Sequence, residues 1–359
     1  LGQPGPAKDV DVNSEATLAC WACQAQLLAD DRYCEQCGTR TTAEPSEEPS
    51  EEPSGEPSAE RRAEDDRGNC GACEAPAEAI SADGYCTRCG VRQRTPRDRQ
   101  EIDVVVAAGV SDRGRVHHRN EDALHLETVG ENGVVVVICD GISSSVSPDL
   151  AARSAAEAAG GVLANALRSD SDALSEATAN AIHAAQEAVL GVPWTPHPDR
   201  DAPSCTLVSA ACHDGELAIG WVGDSRAYWI AEKGSRQLTV DDSWAQEQVT
   251  AGLMSAVQAG SDRRAHSITR WLGADAPADP PQLLTLRPTE PGRLVLCSDG
   301  LWNYAPDATD IATLLDALPS GASALAAAHS LIDTALAAGG RDNITVAVID
   351  IRPPRRDHI

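Results

Sequence analysis

Val134-Val135-Val136-Val137-Ile138-Cys139, halted by Asp140-Gly141, is an apolar run of strand length that ends in a carboxylate. A run without polar alternation reads as a strand buried on both faces. Its terminal carboxylate then stands at the rim of a sheet, on a rigid mount. The same grammar recurs. Leu217 to Gly223 stops at Asp224-Ser225-Arg226, Leu294 to Ser298 stops at Asp299-Gly300, and Asp342-Asn343 directly precedes Ile344 to Ile349. Any one of these alone is an ordinary turn, because Asp-Gly follows strands routinely. Four in one domain point to carboxylates gathered at one sheet edge. Like charges gather around a cation, and oxygen ligands of this kind select Mg2+ or Mn2+ over zinc.

Upstream, Val104 to Val110 reads as a strand leading into Ser111-Asp112-Arg113-Gly114-Arg115-Val116-His117-His118-Arg119-Asn120-Glu121-Asp122. Cations there are placed to grip a phosphate, and Glu121-Asp122 to hold metal-bound water. The Ala-rich stretch Ala322 to Ala338 carries His329 and Asp333 and reads as a packed helix, not a membrane span.

These residues resemble the PPM family of metal-dependent protein phosphatases, the protein phosphatase 2C class. The resemblance rests on Ser111 to Asp122, Asp140-Gly141, Ser204-Cys205-Thr206, Gly223-Asp224-Ser225-Arg226, Leu238 to Ser243, Ser267-Ile268-Thr269-Arg270, Cys297 to Leu301 and Arg341 to Thr345. They occur in the family's order and span residues 101–352. The resemblance implies an α+β fold, an αββα sandwich of two antiparallel sheets flanked by helices, with the metal site at one end. It also implies hydrolysis of phosphoserine or phosphothreonine in proteins. Asp140 would bridge two Mn2+ or Mg2+ ions, with Gly141 lending its carbonyl oxygen. Asp299 and Asp342 would complete the first ion's ligands, and Glu121 and Asp122 would serve the second, largely through waters. Asp224, with Asp299, matches a site for a third, weaker ion.

Two positions depart from the family pattern. His117 stands where an Arg usually clamps the substrate phosphate, and Arg119, two residues on, would share its side of an extended strand. His117 and Arg119 are therefore the expected phosphate-binding pair. After Asp140-Gly141, Ile142-Ser143-Ser144-Ser145 replaces a frequent His or Met followed by two glycines. The imidazole available to protonate the leaving oxygen is missing there, which makes His117 or His118 the candidates. No covalent nucleophile is required, so Cys139, Cys205, Cys212 and Cys297 are expected in the core.

The other eight of the twelve cysteines precede residue 90 in two sets: Cys20, Cys23, Cys34, Cys37 and Cys70, Cys73, Cys86, Cys89. Each set is two C-x-x-C pairs, and both end in Tyr-Cys-x-x-Cys-Gly. Two such knuckles complete a tetrahedral thiolate site suited to Zn2+. A pair of disulfide knots in a secreted protein is the rival reading. Modules this short need a metal in place of a core. They resemble rubredoxin-like zinc ribbons, which implies docking of a protein partner rather than catalysis. The expected organisation is a tail (1–18), ribbon 1 (19–40), a disordered Glu/Pro/Ser linker (41–68), ribbon 2 (69–92), a second linker (93–100), the catalytic domain (101–352) and a tail (353–359).

The net charge of −26 argues against nucleic-acid binding. Hydrophobic residues make up 42% of the 359 positions, but Phe is absent, so any core is built from Val, Leu, Ile and Ala. No membrane span and no secretory signal are visible, although the chain begins at Leu1 and upstream sequence is expected to be missing. A cytoplasmic location is expected, with a phosphoprotein substrate and, by resemblance, an opposing bacterial Ser/Thr protein kinase. The main rival is a pseudophosphatase that only binds phosphoproteins or acts as a scaffold. The complete set of six acidic positions argues against it.

Overall fold

The computed structural model describes residues 95–352 apart from 170–172 and 278, together with 69–70, 73–81, 84–89, 93 and the paired segments Leu18–Ala19 and Gln26–Leu27. Cys20, Cys23, Cys34 and Cys37, the whole Glu/Pro/Ser linker 41–68, and residues 1–17 and 353–359 lie outside the described residues.

Two sheets form the centre. The first has six strands: β1 (Arg99–Asp103), β2 (Ala107–Asp112), β7 (Arg226–Ile230), β8 (Arg236–Gln237), β10 (Gly292–Cys297) and β11 (Ile344–Ile351), in the order β8-β7-β10-β11-β2-β1. The second has five: β3 (Ala123–Val129), β4 (Gly133–Cys139), β5 (Leu207–His213), β6 (Glu216–Val222) and β9 (Gln282–Leu286), in the order β9-β6-β5-β4-β3. Every pairing in both is antiparallel.

The strand β4 shows why its sequence has no polar alternation. Val135, Val137 and Cys139 face a core shared with α1 (Pro148–Arg168) and α2 (Leu174–Leu190). Val134, Val136 and Ile138 face a second core, shared with Leu294, Leu296, Ala347 and Ile349 of the opposite sheet. A third core lies on the far side, where Val295, Val346 and Val348 meet α6 (Ala308–Asp316) and α7 (Ala324–Ala337). Three cores between four layers make the αββα sandwich; two shorter helices, α3 (Trp244–Thr250) and α4 (Ala256–Gly260), lie in the segment between β8 and β9. Ile138 is fully buried, and its truncation to Ala would cost about 2–5 kcal/mol. Alanines 151, 152, 155, 156 and 159 on α1 are also buried, so small side chains bring that helix close to its sheet without Phe. The helix expected in Ala322 to Ala338 is α7.

One expected strand is divided. Val104 to Val110 is a hairpin turn followed by β2, not a single strand. The Asp103 side chain accepts from the Val105 backbone N–H at 2.9 Å, and Val105 adopts φ +70°. A side-chain-capped turn of this kind competes with the extended form that the Val residues favour. Val105 is left 81% exposed at the tip.

Candidate metal centre and active site

The sandwich delivers its acidic residues to one end. Asp122 stands one residue before β3 and Asp140 one residue after β4, and pairing of Ala123 with Cys139 sets them side by side. The opposite sheet supplies Asp299, which opens the short helix α5 (Asp299–Trp302) just beyond β10, and Asp342, just before β11. Asp224 follows β6. Two glycines let these loops close up. Gly114, at φ +75°, has the Asp342 carbonyl oxygen 2.0 Å from where a Cβ would lie, and Gly300 has the Asn343 carbonyl oxygen at 1.9 Å. Any side chain at either position would drive the Asp342 loop away from the site.

Hydrogen bonds hold the carboxylates in place. Ser298 and Thr345 both donate to Asp122 Oδ2, at 2.8 and 2.7 Å. Thr345 also meets the Ser111 hydroxyl, which accepts from Asn120. Glu121 receives the Arg119 Nε–H on Oε1 and the Ser143 hydroxyl on Oε2. Asn343 is the central brace: its Oδ1 accepts the Glu121 N–H, and its Nδ2 donates to the carbonyls of Arg113 and Arg119. The Asp140 main chain is clasped on both sides, its N–H donating to Thr206 Oγ1 and its carbonyl accepting from Thr206 N–H.

Electrostatics show how closely these groups face one another. Burial, then the charges of Asp122, Asp299, Asp342 and Asp224, push the Asp140 carboxyl well above the carboxylate range. Burial and the charge of Asp299 lead the same upward push on Asp342 and Asp224. Asp122 is driven to about 7, chiefly by burial and despite its two hydroxyl donors. Two buried oxygens, Asp122 Oδ1 and Asp299 Oδ1, have no hydrogen-bond partner. Hard oxygen donors, mutual repulsion and orphaned acceptors fit divalent cations of the Mg2+ or Mn2+ type. Among the described residues, the one set of three or more ligand side chains with all donor atoms within 4.8 Å is a cysteine cluster.

The sequence model of the family "Protein phosphatase 2C" matches residues 112–337. The chain is a member of the protein phosphatase 2C family. It is 29% identical over 252 residues to the serine/threonine phosphatase stp of Listeria welshimeri, covering 67% of this chain and 93% of that one. It is 29% identical over 245 residues to the serine/threonine protein phosphatase PstP of Mycobacterium tuberculosis, 68% of this chain and 44% of that one. Among solved structures, the PPM Ser-Thr phosphatase MsPP from Mycobacterium smegmatis, in complex with cacodylate, superposes with TM-score 0.55 at 28% identity, covering 70% of this chain and all of that one. The catalytic domain of PstP in complex with two manganese ions gives TM-score 0.51 at 28% identity, covering 68% and 96%. The enzyme is a protein serine/threonine phosphatase.

In this phosphatase the segment around 117–119 is an irregular loop, not the extended strand expected from sequence, because Asn343 and Gly114 fold it onto the Asp342 loop. His117 and Arg119 consequently part company. The His117 side chain is 7% exposed and its Nε2 lies 3.2 Å from Asp342 Oδ1. Arg119 turns outward, 42% exposed, with Nε on Glu121 and one terminal nitrogen 3.6 Å from Asp149. His118 is exposed on the same loop. Cys139, Cys205, Cys212 and Cys297 are all buried, as expected of core residues. The sequence reading missed the supporting role of Ser143 and Asn343, for which polar residues near acidic ones were the available signal.

The phosphatase also carries the Cys70, Cys73, Cys86 and Cys89 cluster. Its Sγ atoms lie 3.7 Å apart for Cys70–Cys89 and for Cys73–Cys86, and all four are within 4.8 Å. Four thiolates about 2.3 Å from a zinc ion sit roughly 3.8 Å apart, so the spacing is that of a tetrahedral site. Gln93 donates to Cys70 Sγ at 3.2 Å.

Proposed function

We propose that the enzyme hydrolyses phosphoserine and phosphothreonine in proteins by attack of water at a centre of two divalent ions, Mn2+ or Mg2+. The observation supporting this most directly is that Asp140, from one sheet, shares its electrostatic surroundings with Asp299 and Asp342 from the other. Asp140 would serve both ions, with Gly141 lending its carbonyl oxygen, Asp299 and Asp342 would complete one, and Glu121 and Asp122 would serve the second. Asp224 with Asp299 suits a third, weaker ion. Bound ions of this type acidify water and neutralise charge on the phosphoryl oxygens. The protein's own part is to orient. Arg119, at the mouth, binds a phosphate oxygen, and its present partner Glu121 frees it when a cation takes over that carboxylate. His117 is placed to position Asp342 rather than to touch substrate.

Cys70, Cys73, Cys86 and Cys89 hold a structural Zn2+ in this proposal, and the repeat extends it to Cys20, Cys23, Cys34 and Cys37. These two ribbons dock a protein partner. No helix among the described residues is long and apolar enough to cross a membrane. Phosphoprotein substrates and reduced thiolates suit the cytoplasm, where the enzyme would oppose a bacterial Ser/Thr kinase.

Metal content and turnover, measured together, test the reading. Two zincs should remain after mild dialysis, while hydrolysis of p-nitrophenyl phosphate and a phosphothreonine peptide should depend on added Mn2+. Mn2+ binding without turnover would instead indicate a pseudophosphatase.

A further inference from the structure

A seryl or threonyl oxygen leaves phosphorus poorly as an alkoxide and needs a proton as the bond breaks. Beside the carboxylate cluster, the Arg119 guanidinium is held by Glu121 and Asp149 and His117 is turned inward against Asp342. His266 offers a further imidazole. Its ring stacks on Trp302, with centroids 5.6 Å apart and planes at 20°. Trp302 ends the short helix that Asp299 begins, and its indole N–H donates to the Asp224 carbonyl at 2.9 Å. The surface under the imidazole is therefore tied to two of the six acidic residues. Backbone bonds pin the chain just after His266: the Trp244 N–H donates to the Ser267 carbonyl and the Thr269 N–H to the Asp242 carbonyl, each at 2.8 Å.

The imidazole also faces the cluster: of the two histidines whose charge acts on Asp299, His266 acts more strongly than His117. Other charges nearby are Arg226, 3.8 Å over the same indole ring, and Arg264, paired with Asp262 on the loop of His266 itself. The imidazole is exposed, so solvent can return its proton after each turnover.

We infer that His266 is the general acid for the leaving seryl or threonyl oxygen. This rests on the phosphatase reading above and adds a residue to it. The attacking water forms a bond to phosphorus as the bond from phosphorus to the substrate oxygen breaks. The electron pair stays on that oxygen, which takes the proton from the protonated imidazole. The proton lost by the water goes to solvent or to the departing inorganic phosphate, and solvent reprotonates His266.

Leaving-group dependence in the full chain with Mn2+ tests the inference, because p-nitrophenolate needs no proton and a threonyl oxygen does. With His266→Ala and His266→Gln, kcat on a phosphothreonine peptide should fall about 100-fold, against a few-fold at most on p-nitrophenyl phosphate. Mn2+ affinity and thermal midpoint should hold, and added imidazole should restore part of the peptide rate in the Ala variant. Equal losses on both substrates, no loss on either, or a loss traced to weaker Mn2+ binding would overturn the assignment while leaving the phosphatase reading intact. Absence of metal-dependent turnover in the wild-type chain would overturn both.

Discussion

The Thr345 hydroxyl donates to Asp122 Oδ2 at 2.7 Å, while Asp122 Oδ1, equally buried, has no partner. One oxygen is fixed by the protein and the other is left to accept something the protein does not supply. A hydroxyl that orients a ligand carboxylate typically contributes 10- to 100-fold in metal affinity or activity. Thr345→Val preserves shape and removes that donor. Mn2+ titration of the variant should show affinity lower by about that factor, with little change in thermal midpoint.

Asp140 sits at the centre of the repulsion. Asp140→Asn should reduce Mn2+-dependent turnover by at least about 1000-fold, because the group proposed to serve both ions is gone. The same change removes one like charge from the cluster. In metal-free buffer at pH 8 the variant should therefore be more stable than wild type, by about 1–3 kcal/mol. Chemical denaturation of the two proteins side by side reads the sign.

The cluster also sets a pH dependence. Burial raises Asp122 from an ordinary value of 3.8 to about 7, and Asp140, Asp224, Asp299 and Asp342 are shifted the same way. In the pH window between the unfolded and folded values, the native state binds more protons than the unfolded chain. That stability is fully present below about pH 4 and is lost as pH rises through about 7. Metal-free protein should have a lower urea midpoint at pH 8 than at pH 5.5, and Mn2+ should restore it at pH 8. A midpoint that climbs over this range without metal would contradict the clustering.

Arg119 is half in solvent, and the proposal assigns it the substrate phosphate. Arg119→Ala should raise KM for a phosphopeptide by about 10- to 100-fold and change kcat less, with Arg119→Lys intermediate because a point charge replaces a fork. Steady-state kinetics at saturating Mn2+ separate the two parameters. An unchanged KM would remove Arg119 from phosphate binding.

Much of the architecture was readable because burial on both faces writes itself into sequence. The runs ending at Asp140, Asp224 and Asp299 became β4, β6 and β10, each with its carboxylate at the rim. Their meeting was not readable from any one run, since it depends on antiparallel register across two sheets. The Val104 to Val110 run misled because one Asp side chain rewrote the backbone preference of the Val residues after it. The divergence of His117 from Arg119 was hidden for a similar reason: Asn343, far along the chain, bends their loop. His266 escaped notice because its significance lies in the Trp302 ring beneath it.

The division of β4 between two cores has a bearing on how this enzyme can vary. Adding or deleting one residue between Val134 and Cys139 would exchange the set facing the helices with the set facing the other sheet, since strand side chains alternate. It would also rotate Asp140 away from its companions. Many apolar sequences can fill this strand, but its length has no such freedom, and tolerated insertions belong upstream, at the exposed turn around Glu131 and Asn132.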